Sequence, residues 1–167
     1  MKSNGVAVSE ASRIADQLQR AFHGSAWHGP GVFELLEDVD AATAAARPVE
    51  DAHSIWELLL HVEAWDRAAM VRLGGAKCQP KGEVNFPAVK KTIESAWRAA
   101  MASANRTHDQ LVKMVEALPD SRLRDRVPGK RYHFYHMLHG IAQHELYHAG
   151  QIAILKKAAL SITSKNS

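Results

Sequence analysis

The sequence predicts an all-α protein, a single four-helix bundle with a short helical insertion between the first and second long helices. Three observations carry that expectation. Apolar residues recur at three- and four-residue spacing along four long segments. Gly- and Pro-containing breaks separate these segments. No strict apolar–polar alternation runs long enough to mark a strand. The chain has 167 residues, 46% hydrophobic and 23% charged, which excludes general disorder and fits one domain over 1–167.

The first helix is expected from about Ser9 to His23, with Ile14, Leu18 and Phe22 on one face and Gly24, Gly29, Pro30 and Gly31 as its stop. One or two short helices should follow, up to Pro48. Ser54 and Glu57 have the spacing of a capping box, and Ile55, Leu58, Leu59, Val62, Ala69 and Leu73 continue the stripe to Gly74-Gly75. The loop to Pro87 contains Cys78, Pro80 and Gly82. No breaker interrupts Pro87 to Leu118, so a third rod is expected there, its buried face including Ile93, Trp97, Met101, Leu111 and Met114. A basic loop, with Arg122, Arg124, Arg126, Lys130 and Arg131, leads to a final helix from about Tyr132 to Ala159, and 161–167 should fray.

Composition narrows the function classes. The net charge is only +3 and no long apolar run occurs, so neither a nucleic-acid nor a membrane partner is expected, and the location is read as cytoplasmic. A single cysteine excludes an internal disulfide framework and a cysteine-only metal site. Histidine is the unusual residue: there are ten, five of them between His133 and His148.

At about 100° per residue, Met137, Ile141, Ile152 and Leu155 form the core stripe of the last helix, and His144 and His148 fall on it one turn apart. Two titratable rings on adjacent turns of a core face need a partner, and the i, i+4 spacing brings both imidazoles to one metal ion. A lone histidine on such a stripe is more often a satisfied core residue; the pair is what raises the metal reading. The best third ligand is His61, at the flank of the second long helix, with Glu57 one turn earlier. Three nitrogen ligands leave an open coordination position, as in catalytic zinc sites. His144 to His148 also spell H-E-x-x-H, but no His, Asp or Glu follows His148, so the downstream ligand of a zinc peptidase is lacking. Glu145 and Glu57 are the candidate proton carriers. His139, His133, His136, His28, His53 and His108 rank lower.

Together these residues resemble the DinB-like (DinB/YfiT) superfamily of metal-dependent four-helix bundle proteins. The matching text is His53-Ser54-Ile55-Trp56-Glu57-Leu58-Leu59-Leu60-His61 and His144-Glu145-Leu146-Tyr147-His148-Ala149-Gly150-Gln151-Ile152, with Trp27-His28-Gly29-Pro30 before the short Leu-Leu helix. The resemblance implies His61, His144 and His148 as ligands of zinc or nickel, and a homodimer. It also implies a small-molecule substrate, with a low-molecular-weight thiol as cosubstrate in some relatives. Ala149 departs from the basic residue often found there. Two function classes follow: a metal-dependent enzyme, either a thiol-dependent transferase or a hydrolase, or a non-catalytic, stress-related binding protein whose metal or histidine cluster supports the fold.

Overall fold

The computed structural model describes residues 8–163, and among them the long elements are all helical. Helix α1 spans Glu10–His23, with the Ser9 hydroxyl accepting the Ser12 amide at its start. The Asp120 carboxylate accepts the amides of Glu10 and Ala11 at 3.0 and 2.9 Å, satisfying two more donors of that first turn. The insertion is two five-residue helices, α2 (Val32–Leu36) and α3 (Ala41–Ala45). Trp97 fastens it to the bundle by donating its indole N–H to the Val39 carbonyl at 2.7 Å. Helix α4 (Ile55–Leu73) starts at the predicted capping box, in which Ser54 accepts the Glu57 amide and Glu57 accepts the Ser54 amide.

Helix α5 runs Glu94–Glu116, and α6 runs Phe134–Thr163. The third rod is therefore shorter than expected. It starts at Glu94, Ile93 is its N-cap and 56% exposed, and Met114 is also exposed. Helix α6 begins two residues later than expected and continues past Ala159 to Thr163; the rest of the expected tail, 164–167, lies outside the described residues. The basic loop contains a 3-10 turn at Asp120–Arg124.

The reason for the late start of α5 lies in the topology. The core consists of two apolar clusters. One holds Ile55 to Val62 of α4, Trp97 to Ala104 of α5 and Ala149 to Leu155 of α6. The other holds Ala69 and Leu73 of α4, Leu111 and Val115 of α5, and Phe134 to Ala142 of α6. Helices α4 and α5 thus run parallel, from the first cluster to the second, while α1 and α6 run the opposite way. After 19 residues of α4 the chain must return along about 28 Å of bundle before α5 can begin. Residues 87–93 are consumed by that crossover, although nothing in their composition forbids a helix. Each of α4 and α1 packs against both α5 and α6, which gives a square of four helices. No helix among the described residues is long and apolar enough to cross a membrane.

Between the apolar clusters lies a buried polar layer. It comprises Glu63 and Asp66 from α4, Thr107 and His108 from α5, and Glu145 and His148 from α6, joined by His61 at its edge. Such a layer costs stability unless its members satisfy one another or a ligand. It contains the candidate site.

Candidate metal centre

His61 comes from α4, and His144 and His148 from successive turns of α6. The Nε2 atom of His144 lies 3.0 Å from the Nε2 atoms of both His61 and His148. Each outer ring is aimed by a contact at its other nitrogen. His61 Nδ1 is 2.7 Å from the backbone carbonyl of Asn85, and His148 Nδ1 is 2.7 Å from Gln151 Oε1. Both partners are acceptors, so both Nδ1 atoms carry the proton and both outer Nε2 atoms present lone pairs.

That arrangement does not close on hydrogen bonds alone. His144 Nε2 can donate at most one proton, so at least one of the two 3.0 Å approaches sets lone pair against lone pair. A cation accepting all three nitrogens removes the conflict, and outer contacts of this kind are what orient metal-ligating imidazoles. The donor set fits a divalent ion such as zinc.

The crossover loop completes the setting. After a 3-10 turn at Gly82–Val84, Asn85 accepts the Trp65 indole N–H through its side chain at 2.9 Å while its carbonyl holds His61. Phe86 is stacked between the rings of His53 and His61, with centroids 3.8 and 4.0 Å away. Burial pushes all three imidazoles toward their neutral, metal-binding form. His144 is lowered to about 3, first by burial and then by the two neighbouring rings. His61 and His148 are also lowered, again mainly by burial.

A cavity of about 330 Å³ opens on His61 and His144, walled by Trp65, Met137 and Ile141 and lined also by Arg72, Asn85, Tyr132 and His136. No carboxylate lines it, and no fourth His, Cys, Asp or Glu joins the three histidines among the described residues.

A family profile of the DinB superfamily matches residues 30–152, from the insertion through the His144–His148 pair. The chain belongs to the DinB superfamily. No curated protein and no solved structure matches it. The matched span contains all three histidines of this DinB-superfamily chain, and α1 lies outside it.

The two glutamates expected as proton carriers are placed elsewhere. Glu57 is occupied in the capping box and also accepts Arg47 Nη2 at 2.6 Å. Burial raises its pKa, but the Ser54 amide, Arg47 and His53 together hold the carboxyl below its ordinary value. Glu145 does not flank the open side of α6. It is fully buried on the other side of His148, where Leu138 and Ile152 are also fully buried. The predicted stripe of Met137, Ile141, Ile152 and Leu155 is buried, and the buried face extends past it on the flank of Leu138 and Glu145, while His144 on the other flank stays at the rim.

Glu145 belongs to a second cluster, with Asp66 and His108. His108 Nδ1 lies 3.2 Å from both Asp66 Oδ2 and Glu145 Oε1, and all three side chains are 0–1% exposed. Burial opposes charge on His108, but the two carboxyls outweigh it and raise the imidazole to about 10. Burial, with Asp66 next, pushes Glu145 up to about 8, and burial raises Asp66 as well. Burial thus favours the neutral form of both carboxyls, while their hydrogen bonds and charge favour the protonated imidazole between them. Phe22 covers the His108 ring at 4.1 Å. His108 and Asp66 were missed in the sequence although a signal exists: His108 interrupts the stripe Met101, Ala104, Leu111, Val115, and Asp66 falls between Val62 and Ala69.

Proposed function

We propose that this DinB-superfamily chain is a metal-dependent enzyme in which His61, His144 and His148 hold zinc or nickel and a low-molecular-weight thiol is a cosubstrate. The observation that carries this reading is the convergence of three imidazoles, two of them on the wall of a cavity, with no fourth protein ligand among the described residues. A divalent ion there supplies Lewis acidity, favouring the deprotonated form of a thiol or water.

Thiol transfer is preferred to hydrolysis because the cavity lacks a carboxylate base. A coordinated thiol needs less help in losing its proton than water does. Tyr132 and His136 line the same cavity and are the groups able to relay a proton. Trp65, Met137 and Ile141 exclude water and hold the apolar part of a substrate. The homodimer expectation is supported by Tyr147 and Ile154, two turns apart on α6 and 66% and 65% exposed.

The test is elemental analysis of untagged protein, followed by a thiol-conjugation screen on wild type and His148→Ala. One divalent ion per chain, lost in the variant together with turnover, supports the reading. Equal metal content in both proteins would sink it. Metal removal that melts the bundle, with no turnover by either form, would assign the chain to the non-catalytic binding class.

A further inference from the structure

Arg72, near the end of α4, is a cation without an anion. It is 1% exposed, and no ion pair reaches it among the described residues. Its Nε donates to the Cys78 carbonyl at 2.9 Å and its Nη2 to Gln79 Oε1 at 3.3 Å, both neutral acceptors. Nη1 has no hydrogen-bond partner among the described residues. The same Gln79 oxygen accepts the Lys130 ammonium from the basic loop, so one neutral amide serves two cations. Burying an unpaired charge is expensive, and a carboxylate in place of Gln79 would have relieved it. The charge is left available on the wall of the cavity that contains His61 and His144, and that wall carries no acidic side chain.

We propose that Arg72 is the anion-recognition residue of this cavity and that the substrate is a small molecule bearing a carboxylate away from its reacting atom. Trp65 neighbours both ends of that span. The Arg72 guanidinium carbon lies 5.4 Å from the Trp65 ring centroid, and the same indole lies 5.8 Å from the His144 ring and 6.4 Å from the His61 ring. A cavity of about 330 Å³ accommodates a compact acid. Arginine suits the role because its planar fork remains charged at every working pH and can hold the loop with one edge while offering Nη1 to a ligand. Lys130, held at Gln79, adds a second positive charge beside the site. The inference rests on the proposed function only for the position of the reacting atom; the anion site itself does not require a metal.

The experiment is calorimetric titration of the full-length protein, as isolated and after metal stripping, with glutarate and with its neutral counterpart glutaramide. Glutarate is expected to bind both forms, and glutaramide at least tenfold more weakly. Arg72→Met should erase the preference, and Arg72→Lys, which keeps the charge, should restore part of it; a purely structural Arg72 would leave the acid-to-amide ratio unchanged. Equal binding of acid and diamide to wild type, or no binding of glutarate, would overturn the assignment without recourse to any variant. If the isolated protein holds no metal and the preference persists through Arg72, the enzyme reading falls and the anion site stands. If metal is bound and the stripped protein shows no preference, the anion site falls and the metal centre stands.

Discussion

Glu145 follows His144 directly in the chain, yet the two side chains serve different clusters. His144 meets His61 at 3.0 Å on the cavity side of α6, and Glu145 meets His108 at 3.2 Å in the sealed interior. One residue step turns the helix by about 100°, enough to separate a ligand position from a core position.

The Glu145–His108–Asp66 cluster should govern stability above mildly acidic pH. Glu145 is raised to about 8 in the folded protein and His108 to about 10, so the native state holds protons that the unfolded chain releases. Their contribution is fully present at acidic pH and is lost as pH rises toward 8 and then 10. In metal-stripped protein, denaturant midpoints should fall between pH 7 and 9, above the range in which the depressed histidines add stability as pH rises. Glu145→Gln, which keeps a neutral amide in place, should flatten the part of that fall below pH 8. An unchanged slope would show that Glu145 is not protonated in the fold.

His108→Ala should be severe. It leaves two buried carboxyls without their cation and opens a cavity beneath Phe22, for a combined loss of about 3–5 kcal/mol. Chemical denaturation at pH 7 measures it.

Gln151→Leu tests the aiming of His148. The substitution removes the acceptor 2.7 Å from His148 Nδ1 without touching a ligand nitrogen. Metal affinity is expected to fall roughly 10–100-fold with the helical content unchanged. Competition with a chromophoric chelator reads the first and circular dichroism the second.

Metal uptake near pH 7 should release almost no proton from the ligands. Burial already holds His144 neutral, lowered to about 3, and shifts His61 and His148 in the same direction. Calorimetry in two buffers of different ionisation enthalpy measures the count. The same depression means that metal-free protein should lose stability as pH falls from about 6.5 through about 3, because the unfolded histidine takes up a proton that native His144 refuses.

Ser54→Ala should cost about 1 kcal/mol, the usual value of a lost N-cap. Glu57→Gln should act in the same direction and leave metal content and turnover unchanged, because Glu57 is held by the Ser54 amide and Arg47 and does not line the cavity. A large loss of turnover in Glu57→Gln with normal stability would return Glu57 to the chemistry.

The sequence by itself determined what depends on neighbours along the chain. The helical periods, the capping box at Ser54 and Glu57, the stop at Gly74-Gly75, and the pairing of His144 with His148 one turn apart are all local facts. A helical wheel also fixes the angle between two residues of one helix. It does not fix how that helix is rotated against the others, so it does not say which flank of the α6 stripe is sealed. Leu138 and Glu145 are fully buried on one flank, and His144 stays at the rim on the other. The late start of α5 was likewise decided by the parallel course of α4 and α5, which demands a crossover that no residue type announces. The carbonyl that aims His61 belongs to the backbone of Asn85, and a backbone acceptor has no signature in the sequence. Arg72, one more basic residue in the sequence, is a buried and unpaired cation only because the crossover loop folds over it. Rotation, crossover and loop placement are set by the sum of contacts between distant segments, and only the folded chain performs that sum.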